Sequence, residues 1–143
     1  MGNRIKMSLI PDFAITSQRV MTQEGEREAA ILICGEKILD VISISEIPSD
    51  CPVEDMANDV VMPGLVDTHV HINEPGRTDW EGFETATKAA AAGGITTLVD
   101  MPLNCIPVTT TIDALNQKIA ATKNQLWMDC GFYGGLIPDN IHD

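Results

Sequence analysis

Two imidazoles and a carboxylate stand at alternate positions in the run Asp67-Thr-His-Val-His71. Side chains in an extended strand alternate between faces, so Asp67, His69 and His71 share one side. Neutral imidazole is a good ligand for zinc and related divalent ions, and two rings spaced i, i+2 on one strand face can hold an ion together. Asp67 lies one step deeper, where a carboxylate can accept a ring N–H and orient a ligating histidine. A lone His-x-His is common by chance. This pair gains weight from its place in an apolar run after the Pro63-Gly64 break, where unpartnered rings would be desolvated with no return. The remaining histidine, His142, has no such neighbour and reads as inert.

The elements that must carry the pair follow from the local pattern. Leu65–His71 reads as a buried extended run. Glu81–Ala92 is strongly helix-favouring, its alanine run 89–92 reads as a close-packed face, and Gly93-Gly94 stops it. Ile95–Asp100 is the next strand, ended by Met101-Pro102. Thr111 can cap a helix that runs from Ile112 to about Lys123, and Trp127–Tyr133 reads as a third strand. Strands alternating with helices imply βαβ units and a parallel sheet. Residues 13–60 have a different texture. Short β-branched runs at 13–20, 29–34 and 38–43 flank polar turns, with a hairpin expected around Gly35, and Ser45–Asp59 reads as a loop or linker.

Composition removes several functions. Of the 143 residues, 9 are Lys or Arg and 21 are Asp or Glu, a formal charge of −12. Phosphate contacts need clustered cations, so nucleic-acid binding is excluded. The acid is spread evenly along the chain and reads as solubility. No run approaches the roughly 18 apolar residues of a membrane span, and no P-loop or dinucleotide fingerprint is present. Cys34, Cys51, Cys105 and Cys130 form no CxxC pair, and the opening residues form no apolar signal region. Free thiols in an intracellular protein are expected, cytoplasmic or, in an animal, mitochondrial. Arg4 and Lys6 are too few basic groups to establish a transit peptide.

Pro63-Gly-Leu-Val-Asp-Thr-His-Val-His71 resembles the first-strand signature of the amidohydrolase superfamily, metal-dependent hydrolases on a (β/α)8 barrel. Ile72-Asn-Glu-Pro-Gly-Arg-Thr-Asp-Trp-Glu-Gly-Phe83 and Ala89-Ala-Ala-Ala-Gly-Gly-Ile-Thr-Thr-Leu-Val-Asp-Met-Pro-Leu-Asn104 are similar to its cyclic amidohydrolases. Within that group the likeness is greatest to the allantoinase family, which opens the hydantoin ring of allantoin to allantoate. It runs from Val60 to Asn104 and weakens on either side. Where dihydroorotase-like members carry an arginine that grips a carboxylate, this chain has Asn73, whose amide suits a neutral ureide. Asn73 and Asn104 are therefore candidate substrate contacts, each with a loop-fixing alternative. Glu74 and Asp79 read as loop-fixing or solvated, and Trp80 and Phe83 as loop packing.

The resemblance implies an α/β fold: an incomplete TIM (β/α)8 barrel of the amidohydrolase type, preceded by part of a small β-sandwich domain. Residues 1–59 would be the β-rich segment of the small domain, and residues 60–143 about three barrel strands. It also implies two divalent ions, zinc expected, with His69 and His71 on the more buried one. The family's carboxylated bridging lysine, its two further histidines and its general-base aspartate have no counterpart in 1–143. Lys88, Lys118 and Lys123 fall on or beside helices. Because such a barrel needs about 250 residues, the chain is expected to be an N-terminal fragment, with no catalytic residue of its own and no activity alone. The expected partner is a small molecule, allantoin, and the full-length parent is expected to be a homo-oligomer (a tetramer). A hydantoinase or dihydroorotase, and a non-catalytic scaffold of the same fold, are the alternatives.

Overall fold

A computed structural model of the chain describes residues 10–142, which divide between Pro63 and Gly64 into two compact units. The basic residues Arg4 and Lys6 lie outside the described residues.

In the first unit, β1 (Phe13–Thr22), β2 (Gly25–Cys34) and β3 (Lys37–Ile42) form an antiparallel meander. The expected hairpin is present, with Gly35 at φ +57°, a left-handed conformation that glycine adopts without a Cβ penalty. The segment 45–59 is not a featureless linker. It returns along the outer edge of β1, where β4 (Val53–Asp55) and β5 (Val60–Val61) both pair with β1 in parallel. The result is a five-stranded mixed sheet. At the irregularity in β1, Ser17 Oγ donates to Asp59 O at 2.5 Å and accepts the Arg19 N–H at 2.9 Å, which satisfies backbone groups the ladder leaves free. Val60 and Val61 thus belong to this sheet. The division falls four residues beyond the 59/60 boundary expected from sequence, because the chain leaves the sheet only after Val61.

The second unit follows the expected alternation: β6 (Leu65–Val70), α1 (Phe83–Ala92), β7 (Ile95–Asp100), α2 (Ile112–Ala121) and β8 (Asp129–Phe132). The strands form one parallel sheet in the order β6-β7-β8. Its core is Ile72, Phe83 and Leu98, with Val70, Ala86, Ala90, Met128, Cys130 and Phe132 packed around them. The Phe83 and Phe132 rings meet edge to face at 6.0 Å. Of the alanine run, Ala90 reaches this core, while Ala89, Ala91 and Ala92 are exposed. α2 is capped as expected, with Thr111 Oγ1 accepting the Ala114 N–H at 3.2 Å. α1 starts at Phe83 rather than Glu81, and its cap comes from a distance. Glu74 Oε2 accepts the Phe83 N–H at 2.9 Å, placing a carboxylate at the positive end of the helix. Among the described residues, no helix is long and apolar enough to cross a membrane.

Candidate metal-binding site at the strand ends

Parallel strands bring their C-terminal ends to one side of a sheet, so the residues that close β6, β7 and β8 are neighbours there. His69 and His71 stand at the end of β6 with ring centroids 5.3 Å apart and planes inclined at 58°. Both residues are exposed, contrary to the expectation of a buried strand, as are Leu65 and Val66. The reason is positional: β6 is an edge strand with a neighbour, β7, on one side only. Among the described residues, neither imidazole has a hydrogen-bond partner, and no three His, Cys, Asp or Glu side chains are grouped to hold a metal. The donor set fits a divalent ion chemically, and it supplies two ligands. Asp67 does not bond a ring. Its Oδ1 accepts the backbone N–H of His69 at 3.0 Å, at the point where the β6–β7 register shifts.

The loops that follow β6 and β7 are fastened to each other. The Ile106 N–H donates to Pro75 O at 2.7 Å, and Gly76, at φ +92°, lies so close that a Cβ there would meet Ile106 at 2.7 Å. Asn73 is buried, its N–H donating to Glu81 O and its carbonyl accepting the Arg77 N–H, both at 3.0 Å. Asn104 is exposed in the second loop at φ +71°, a conformation asparagine tolerates better than most residues. Glu74 fixes the first loop through Phe83 and through Gln125, whose Nε2 donates to Oε1 at 3.3 Å. Phe83 is core, whereas Trp80 is exposed, with the Arg77 guanidinium 4.9 Å above its ring.

The family profile described as the amidohydrolase family matches residues 60–140. The chain belongs to the amidohydrolase family. An allantoinase from Streptomyces avermitilis is 53% identical over 133 residues, covering 92% of this chain and 30% of the relative. An allantoinase from Saccharomyces cerevisiae is 45% identical over 144 residues, covering 94% and 31%. Among solved structures, an L-hydantoinase (dihydropyrimidinase) from Arthrobacter aurescens superposes with a TM-score of 0.79 at 33% identity, over 92% of this chain and 29% of that one. The chain therefore spans about 30% of the length of the curated relatives it matches.

The strand end beside the histidines holds a group in this amidohydrolase chain that the sequence pattern alone does not single out. Asp100, at the end of β7, is completely buried, and so is Lys118 of α2. Lys118 Nζ lies 2.5 Å from Asp100 Oδ2 and donates to Met101 O at 3.1 Å, while Asp100 Oδ1 accepts the Ile72 N–H at 2.7 Å. Burial pushes the Asp100 carboxyl above its ordinary value, against Lys118, the Ile72 N–H and His71, which favour the ionised form. Cys130 of β8 lies in the same neighbourhood. Burial, with the Asp100 charge adding to it, pushes its thiol up to about 11. A signal for Lys118 does exist: with Ala114 and Ala121 it shares the inward stripe of α2, a position an unpaired lysine does not occupy.

Proposed function

We propose that this chain is the metal-binding start of an allantoinase-type hydrolase, one that opens the hydantoin ring of allantoin to allantoate. The observation that carries the reading is the His69–His71 pair at the end of β6, exposed and without a ring hydrogen bond among the described residues, in a chain 53% identical to an allantoinase. In this reading the three parallel strands are the first part of a (β/α)8 barrel, whose sites form at the C-terminal strand ends. The β-rich unit is part of a small sandwich domain. His69 and His71 hold the more buried of two divalent ions, zinc being expected from the nitrogen donors. Bound ions of this kind supply a water activated for attack on an amide carbonyl.

The chain's own residues have narrower tasks. The Asp67–His69 backbone bond holds the twist that brings both rings to one side. The carboxamide of Asn73 would bond a neutral ring carbonyl or N–H, and Asn104, in the loop fastened beside it, is the second candidate contact. The two ligands here leave an ion short of its usual four, so the remaining ligands and the proton-transferring aspartate belong to sequence outside 1–143. That agrees with a chain spanning 30% of its relatives. The full-length protein is then a homo-oligomer acting on a small, neutral ureide.

The test is allantoate release from allantoin, with added zinc, manganese or cobalt, by the longest product of the same locus. Loss of that activity on His69→Ala or His71→Ala supports the reading. A second reading, a hydantoinase, is favoured by the Arthrobacter aurescens structure. Faster turnover of 5-substituted hydantoins than of allantoin would establish it instead. Allantoate released by residues 1–143 alone would overturn the assignment of the missing ligands.

A further inference from the structure

The end of β6 is braced from the neighbouring strand. Asp100 is the last residue of β7, and its Oδ1 accepts the N–H of Ile72, the residue that follows His71. One step earlier the Met101 N–H donates to Val70 O at 2.7 Å. His71 is thus held between two fastened backbone positions, Val70 and Ile72, and the second is held by a side chain rather than by the ladder. That side chain cannot swing away. Its other oxygen is clamped by Lys118 Nζ at 2.5 Å, and Lys118 is itself tied to Met101 O. All three residues of the brace, Ile72, Asp100 and Lys118, are completely buried, so no water competes for these bonds.

A buried ion pair is a poor device for stability alone, since well-packed apolar groups of similar volume often serve as well or better. Its geometric consequence is specific. A bond to a backbone N–H fixes the direction in which the preceding residue leaves the strand, and that residue carries an exposed imidazole. We propose that Asp100 is a positioning residue for His71. It sets the approach of the two imidazoles, and Lys118 locks its rotamer. The inference rests on the reading of His69 and His71 as metal ligands, and its test separates the two.

The probe is Ni2+, which stands high in the affinity order of nitrogen sites, titrated into the 143-residue chain. Binding is followed by paramagnetic broadening of the His69 and His71 ring resonances, with the His69→Ala/His71→Ala variant as baseline. Paired substitutions avoid leaving a buried charge alone. In Asp100→Ala/Lys118→Met the Ile72 N–H loses its acceptor. In Asp100→Asn/Lys118→Met the amide oxygen restores it without charge. The first is expected to weaken Ni2+ binding by about tenfold, the range found for partners that orient ligands, and the second to recover most of it. Asp100→Ser/Lys118→Met, whose hydroxyl is too short to reach Ile72, makes the same comparison if the alanine variant does not fold. A merely structural role would lower the melting temperature while leaving the affinity of folded molecules unchanged. That result, with wild-type Ni2+ binding intact, overturns the positioning role alone. Wild-type rings that do not respond to Ni2+ overturn the ligand reading, and the positioning role with it.

Discussion

Two adjacent strand ends in the second unit are built on opposite plans. At the end of β6, His69 and His71 are polar, exposed and, among the described residues, without hydrogen-bond partners for their rings. At the end of β7, Asp100 and Lys118 are charged, sealed from water and bonded at every turn. An exposed imidazole costs nothing to leave free and is open to a ligand, whereas a buried charge must be matched where it sits. The contrast separates a group held ready for something from outside from a group whose partners all lie within the chain. It also ranks what each substitution should do to folding and to binding.

The largest effect is expected from breaking the sealed pair on one side. Asp100→Ala leaves the Lys118 ammonium buried without a counter-charge and should cost about 3–5 kcal/mol in urea unfolding, whereas Asp100→Ala/Lys118→Met should cost clearly less. If the single and double variants unfold at the same denaturant concentration, the pair is not sealed as described.

The next effect is a pH dependence beside the same pair. The Cys130 thiol is raised from 9.0 to about 11, so folding favours its protonated form. Its contribution is fully present below pH 9.0 and is lost as pH rises through about 11, because the unfolded chain releases the proton first. The loss is on the order of 2 kcal/mol. Other groups titrate in this range, so the observable is the difference between wild type and Cys130→Ala, which should close as pH rises from 9.0 to about 11. Parallel stability curves for the two proteins would show that the neighbourhood of Asp100 is wet.

Much of this region is legible in the amino-acid sequence. The bounds of β7 follow from the β-branched run between Gly94 and Met101, and α2 from the Thr111 cap. The His pair is legible because strand alternation is a local rule that needs no tertiary partner. What is not legible depends on crossover. Lys118 meets Asp100 only because α2 packs back over the sheet, and α1 begins at Phe83 only because Glu74, nine residues away, supplies its cap. The edge position of β6, and with it the exposure of the histidines, depends on which strands are present to pair with it. Likewise Val53–Asp55 and Val60–Val61 are short runs in polar sequence, and only the free edge of β1 makes them strands.

A middling effect is expected in the loop between the two plans. Glu74 is nearly buried, yet it serves two partners rather than an ion pair. Glu74→Ala removes the cap of α1 and the Gln125 bond and should cost about 1–2 kcal/mol. Glu74→Gln keeps an acceptor for the Phe83 N–H but loses the charge at the helix end, and should cost about half as much. An equal loss in both variants would mean that charge, not the hydrogen bond, holds this loop.

The smallest effect on folding is expected where the functional consequence is greatest. His69→Ala and His71→Ala remove exposed rings with no partner among the described residues, so each should shift stability by less than about 0.5 kcal/mol. Either change should nonetheless remove the two-imidazole site, because one exposed ring binds a divalent ion far more weakly than two rings held together. The dissociation between folding and binding is the decisive feature. A histidine kept for packing behaves in the reverse way, costing stability when removed and leaving ion binding untouched. Thermal unfolding and Ni2+ titration of the same two variants measure both quantities. If His71→Ala proves as destabilising as Asp100→Ala, the two strand ends are alike, and the β6 end is structural after all.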